Sequence, residues 1–206
     1  MEASIFNPLD SILILFSYLL GSIPFGLVFG RFKGKDPRNH GSRNIGATNI
    51  ARVLGKKWGI ITLFCDMLKG LTPVLLARYL DLSSMSIALS GLAAVAGHCF
   101  SIFLAFKGGK GVATALGVFL GICPKAVGIA AIIFASALYY SGFVSVGSLS
   151  AATSIPVLIY LLCSDPFFES MSWSICLLIW IRHKDNLKRL ARGEEKGIIG
   201  SRSQGT

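Results

Sequence analysis

The stretch AVGIAAIIFASALYYSGFVSVGSLSAATSIPVLIYLLCS, residues 126–164, contains no Asp, Glu, Lys or Arg. One helix of that length would run roughly 58 Å, about twice the thickness of a bilayer's hydrocarbon core. Ser141-Gly142 offers a break near its middle, so the stretch reads as two helices placed back to back. The same absence of charge recurs outward at 11–30, 82–106 and 111–124. Only 15% of the 206 residues are charged and 53% are hydrophobic, with mean hydropathy +0.66. A soluble domain normally carries about 25% charge. The chain therefore reads as one all-α membrane domain over 1–206, a polytopic bundle with no soluble partner domain.

Seven spans are expected, at about 9–31, 58–79, 84–105, 111–123, 126–141, 145–163 and 168–181. The fourth and seventh are short for a full crossing, which takes roughly 20 residues. Pro73 and Pro156 fall inside spans, where neighbouring helices can satisfy the freed backbone groups. The opening MEASIFNPLD has no basic n-region, so the first apolar run reads as a retained helix rather than a signal peptide.

Charge sets the expected orientation. Residues 31–57, the turn at 106–110 and the tail from Arg182 carry 17 of the 20 Lys and Arg. With seven spans, these segments share one side. The positive-inside rule makes that side cytoplasmic and puts the N-terminus outside. Glu2, Asp10, Asp81, Asp165 and Glu169 fall on the other side. The net charge of +10 then belongs to cytoplasmic loops beside anionic lipid, and nucleic-acid binding is excluded. Five cysteines without CxxC spacing read as small buried hydrophobes.

Three polar clusters stand out against this background. The loop GKDPRNHGSRNIGATNIARVLGKK, 34–57, holds more Gly, Ser, Asn and Thr than topology requires. Ser42, Asn44, Thr48 and Asn49 are short donors, and Arg38, Arg43 and Arg52 are forks suited to phosphate. The second cluster, at 106–114, centres on Lys107-Gly108-Gly109-Lys110-Gly111. Glycine backbone N–H groups and the start of the next helix can converge on an anion there. It is not a Walker A motif, because the spacing is wrong. His98 is expected about 13 Å from this turn along its helix, as a structural histidine. The third cluster, 182–197, places Arg182, His183, Asn186 and Arg189 on one side of a helix leaving the membrane. His183 alone among the histidines sits where a helix meets water beside other polar groups. Asp66 and Lys69, three apart within a span, read as an internal ion pair.

Three cation-rich and glycine-rich groups on one membrane face point to an anionic, phosphorylated substrate, and the bundle beside them can take an apolar tail. A transporter or flippase of a phosphorylated compound would have a similar composition. It would more often show an internal repeat and polar groups near the midplane; no internal repeat is evident, and the outer face is nearly bare. No metal-ligand spacing is present.

The chain resembles the bacterial acyl-phosphate-dependent glycerol-3-phosphate acyltransferases, the integral-membrane PlsY type. The likeness runs through GSIPFG at 21–26, GSRNIGATN at 41–49, DMLKG at 66–70, GH…FKGGKGVAT from 97 to 114 and RHKDNLKRLARGEE at 182–195. It implies a seven-span fold with an outer N-terminus, in the bacterial plasma membrane, with the active site at the cytoplasmic face. It implies transfer of a fatty acyl group from acyl phosphate to the 1-hydroxyl of glycerol 3-phosphate in phospholipid biosynthesis. No cofactor, metal or nucleic acid is implied. Membrane lipids are the surroundings, and the protein is expected to be monomeric. His183 and Asn186 on this resemblance, with Ser42 and Lys107 from the two loop clusters, are the expected catalytic residues. Arg43, Asn44, Thr48, Asn49, Arg52, Gly108, Gly109, Lys110 and Arg182 are expected at the phosphates. Asp66, Lys69 and His98 are expected to support them. Where the family's first motif usually has GSGN, this chain has Arg43 in place of the second glycine, which adds a cation and disfavours a positive φ.

Overall fold

The computed structural model describes residues 7–197. Glu2, and Arg202 of the basic tail, lie outside the described residues. Among the described residues every element is helical.

The first apolar run forms two helices rather than one. Helix α1, Pro8–Ser22, starts from a capping box in which Asp10 accepts from the Asn7 N–H at 2.8 Å. It stops at Ile23, because Pro24 has no N–H to continue the ladder and pushes the residue before it into extended backbone. Helix α2, Phe25–Phe32, resumes the same apolar stretch. The freed carbonyl of Ile23 accepts from Lys69 Nζ at 2.8 Å, which satisfies the break from a neighbouring helix.

Next come α3, Ala47–Leu54, and the long α4, Lys56–Tyr79, which carries Pro73 inside it. Helix α5, Ser84–Cys99, ends at Cys99 and not at 105 as the sequence suggests. A 3-10 turn at Ile102–Leu104 follows, and then Ala105 and Phe106 at φ 48° and 63°. Two left-handed residues in succession fold the chain back on the end of α5. The remaining helices are α6 (Val112–Ile122), α7 (Pro124–Ser141), α8 (Val144–Cys163), α9 (Pro166–Arg182) and α10 (Lys184–Ala191). Gly142, at φ 77°, closes α7 and makes the break expected at Ser141-Gly142.

Among the described residues five helices are long and apolar enough to cross a membrane, with α1 and α2 taken as one and α5 taken with the 3-10 turn after it. The eleven residues of α6 rise only about 17 Å. Close backbone contact holds the central helices together. A methyl added at Gly21 or Gly97, on the α1–α5 seam, would sit 2.1 or 2.2 Å from a facing carbonyl oxygen. The α4–α6 seam repeats the device at Gly70 and Gly117, with 2.1 and 1.9 Å. Small residues that bring backbones together are how helices pack where lipid is as apolar as the side chains. Val74, Val95, Val118 and Ile159 are fully buried between these helices. Ile12, Phe64, Ile132, Leu161 and Leu177 face outward, and that pattern suits hydrocarbon surroundings.

Candidate active site

The loop 34–57 is organised around one side chain. Asn49 is 1% exposed, and its Oδ1 accepts from the Ser42 N–H at 2.7 Å. Its Nδ2 donates to the carbonyls of Pro37, His40 and Asn44 at 3.0, 3.1 and 2.7 Å. Asn49, expected at the phosphates, is therefore engaged in shaping the loop. Asn44 Oδ1 is likewise taken, by the Gly46 N–H at 2.8 Å. The half-buried hydroxyls of Ser42 and Thr48 make no hydrogen bond among the described residues. Arg43 does adopt the left-handed conformation, at φ 58°, and its side chain is exposed.

The glycine turn is also committed. The Gly108 and Gly109 N–H groups donate to the carbonyls of Cys99 and His98 at 3.1 and 2.9 Å. Their own carbonyls accept from the Arg182 guanidinium at 2.7 and 3.0 Å. Both peptide groups and the fork are used in holding the turn. The Gly108–Gly109 peptides and two of the Arg182 nitrogens, all expected at the phosphates, are here bonded to one another and to the end of α5. The fold-back after Cys99 also corrects the distance expected for His98. A methyl on Gly109 would lie 2.1 Å from His98 Nε2, so the imidazole lies directly under the turn. His98 Nδ1 is 3.7 Å from Asp66 Oδ1, and Lys69 Nζ is 2.8 Å from the same oxygen. All three residues are at most 4% exposed. Desolvated charges persist when paired, and here the pair also braces the turn and the Pro24 break.

The third cluster does not lie on one helix. The chain bends at His183, which ends α9 and starts α10. His183 is 2% exposed, and its Nδ1 lies 2.8 Å from the Ile179 carbonyl. A carbonyl can only accept, so Nδ1 carries the proton and Nε2 keeps its lone pair. Burial, and then the charge of Lys110, push the imidazole down to about 4, so it is neutral at pH 7. Asn186 donates to Glu195, while its buried Oδ1 has no partner among the described residues.

Glu195, which no sequence pattern marks out, ties the end of the bundle together. It accepts from Ser145 Oγ at 2.9 Å and from Arg189 Nε at 2.7 Å. Burial opposes its ionisation, but the hydrogen bonds from Asn186, Arg189 and Ser145 outweigh burial and hold the carboxyl below its ordinary value. The next residue, Lys196, accepts from Arg52 at 2.8 Å and donates to the Gly41 carbonyl at 3.3 Å. The tail therefore lies across the 34–57 loop. A glutamate in a basic tail carries no periodic signal, and Ser145 lies on a distant helix, so this contact is invisible in the sequence.

The two lysines of the turn part company. Lys110 makes no hydrogen bond among the described residues. Burial pushes it down to about 8; the attraction of Glu195 opposes this, and the charges of Arg189 and Arg52 add to it. Lys107 is exposed and lines a different cavity, with Arg31 and Arg38. Ser42, Arg52, Lys110, the His183 Nε2 and the Asn186 Oδ1 thus remain as groups with capacity to spare at one end of an apolar bundle. This is a polytopic membrane protein whose uncommitted polar groups gather at one end.

The comparisons agree. The sequence model of the glycerol-3-phosphate acyltransferase family matches residues 11–193. The glycerol-3-phosphate acyltransferase of Desulfotalea psychrophila is 52% identical over 192 residues, covering 91% of this chain and 98% of that one. That of Geotalea daltonii is 50% identical over 186 residues, covering 90% and 96%. A crystal structure of PlsY (YgiH), an integral membrane glycerol 3-phosphate acyltransferase, in its glycerol 3-phosphate form, superposes with a TM-score of 0.88 at 40% identity, covering 91% of this chain and 94% of that chain. Its lysophosphatidic acid form gives 0.86 at 39%. The chain belongs to the glycerol-3-phosphate acyltransferase family of the PlsY type.

Proposed function

We propose that this protein transfers a fatty acyl group from acyl phosphate to the 1-hydroxyl of sn-glycerol 3-phosphate, releasing 1-acyl-glycerol 3-phosphate and inorganic phosphate. It works as a monomer in a bacterial plasma membrane, without cofactor. Seven spans put the N-terminus outside and the site at the cytoplasmic face, a reading supported by the concentration of cations at the site end.

The observation that carries this reading is Lys110. It is a half-buried ammonium with no hydrogen-bond partner among the described residues, near the Glu195 carboxylate and the cations Arg52 and Arg189. Its hydrogen-bonding capacity is left open for a phosphate. Ser42 and Arg52 add donors to the same anion, with Thr48 beside them on α3.

The acceptor hydroxyl attacks the acyl carbonyl carbon. A carbon–oxygen bond forms to glycerol, the bond from the acyl carbon to the phosphate oxygen breaks, and phosphate leaves. Acyl phosphate is a mixed anhydride, so positioning and charge neutralisation carry most of the catalysis. The lone pair on His183 Nε2 suits it to accept a hydrogen bond from the hydroxyl and aim it. At a pKa of about 4 the imidazole is a weak base, so a phosphate oxygen takes the proton. Asn186, held by Glu195, fixes the other side of the hydroxyl.

The test is turnover in detergent with palmitoyl phosphate and glycerol 3-phosphate, beside a parallel reaction with acyl-CoA, and with the product weighed by mass spectrometry. We expect phosphate release that requires glycerol 3-phosphate and matches lysophosphatidate. Product from acyl-CoA alone would overturn the donor, and no product from folded protein would overturn the reaction.

A further inference from the structure

A second cationic feature lies outside the cluster around Lys110. Between α2 and the 3-10 turn after α5 is a cavity of about 500 Å³. Arg31, Arg38 and Lys107 contribute its cations, and Leu27, Val28 and Phe103 contribute to its apolar wall. Val28 is 49% and Phe103 60% exposed, so the apolar wall continues onto the outward, lipid-facing surface. The chain makes an unusual turn here, since Ala105, which also lines the cavity, and Phe106 take left-handed backbone that favours glycine. That turn carries Lys107 to the cavity and leaves Lys110 with Arg52 and Arg189.

The positive-inside rule explains cations at this surface. It does not explain a cavity, nor an apolar wall that runs from those cations to the lipid. The charge is also specific in amount. Arg38 forms a forked ion pair with Asp36, at 2.6 Å for the shorter arm. Asp36 is held down to about 2, chiefly by that hydrogen bond, so it stays ionised. Three cations less one carboxylate leave two positive charges. A phosphate monoester or acyl phosphate brings nearly two negative charges at neutral pH, whereas a phosphodiester headgroup brings one. Pockets of 300–1,000 Å³ are the usual size for small ligands. This one has room for a phosphate and the start of one chain.

We propose that this lateral cavity is a binding site for the phosphate head of a single-chain amphiphile, the acyl phosphate donor as it enters from the bilayer, distinct from the site around Lys110. The inference rests on the acyl-phosphate reading above. Arg31 and Lys107 hold the phosphate, Arg38 is steered by Asp36, and the chain leaves along Leu27, Val28 and Phe103. The two lysines of one turn then serve the two phosphates of the reaction.

The experiment has an arm that does not depend on turnover. Radiolabelled hexadecyl phosphate, an unreactive C16 phosphate monoester, is titrated onto the wild type, Arg31→Ala and Arg31→Lys in nonionic detergent. We expect saturable binding that weakens about tenfold in Arg31→Ala, the loss of one charge-assisted contact, and largely returns in Arg31→Lys. In the kinetic arm, Arg31→Ala raises the KM for palmitoyl phosphate by about the same factor, while the KM for glycerol 3-phosphate moves less than about twofold. Equal binding by wild type and Arg31→Ala, or an equal rise in both KM values, overturns the cavity while leaving the acyltransferase reading intact. Displacement of the probe by a modest excess of phosphatidylglycerol also overturns it, since the site would then be one for resident phosphodiester lipid. Arg31-dependent binding without any turnover of acyl phosphate upholds the cavity as a phosphate-amphiphile site and sinks the donor reading instead.

Discussion

The two ends of the bundle start their helices differently. At the end away from the site, α1, α5 and α9 begin under the side chains of Asn7, Ser83 and Asp165, each accepting from a backbone N–H of the first turn. Helix α7 begins there with Pro124 in its first turn. At the site end, α3, α4, α6, α8 and α10 begin at Gly46, Gly55, Gly111, Phe143 and His183, and none has a side-chain cap. A cap satisfies orphan N–H groups and stabilises a helix by about 1 kcal/mol. Leaving five starts uncapped at one end gives up that stability and keeps the positive ends of the helix dipoles available to anions. One end closes its helix starts with side chains, and the other leaves them open.

The same division separates the two cationic groups inside the molecule. Lys69 is matched by Asp66 and by the Ile23 carbonyl. Lys110 has no comparable match. Replacing Lys69 by Met leaves the Asp66 carboxylate buried and unpaired, so it should cost about 3–5 kcal/mol of stability, read from thermal unfolding in detergent. A Lys69→Met protein as stable as the wild type would erase the contrast. The contrast sharpens with pH. Lys110 is cationic below about 8 and neutral above it. Glycerol 3-phosphate is already largely dianionic at pH 7. Its KM should therefore be flat near pH 7 and rise by up to about tenfold per unit above pH 8, in initial-rate measurements. Asp165→Ala, at the closed end, should lower stability by about 1 kcal/mol and leave kcat unchanged. The smallest effect is expected at Arg43. Arg43→Gly relieves left-handed strain of roughly 1–2 kcal/mol but frees the unfolded chain by about 0.5–1, for a net gain of about 0.5 kcal/mol. Activity should persist, because the side chain is exposed.

Apolar length and charge placement make the helices legible in the sequence. The break at Ser141-Gly142 and the Asp66–Lys69 pair follow from local pattern alone. What stayed hidden shares a cause. Sequence shows which polar groups exist and not which are already used. Asn49, Arg182 and the Gly108–Gly109 peptides look like free ligands in a motif, yet each is bonded to a partner reached only after folding. Pro24 lay in plain view but within an uncharged run, and hydropathy does not register a missing N–H. The α5 fold-back depends on left-handed Ala105 and Phe106, residues that give no turn signal. Glu195 was missed because its partners come from α8 and α10.

The most direct test of the account is the rate of lysophosphatidate formation against glycerol 3-phosphate concentration at pH 7, for the wild type and Lys110→Ala, with thermal unfolding followed on the same samples. The account predicts a fall of about 100-fold in kcat/KM, as for removal of one preorganised charge-stabilising donor. The unfolding midpoint should move by less than about 2 °C, since Lys110 supports no contact that holds the fold. An unchanged kcat/KM would contradict it, and so would activity lost only in step with the fold.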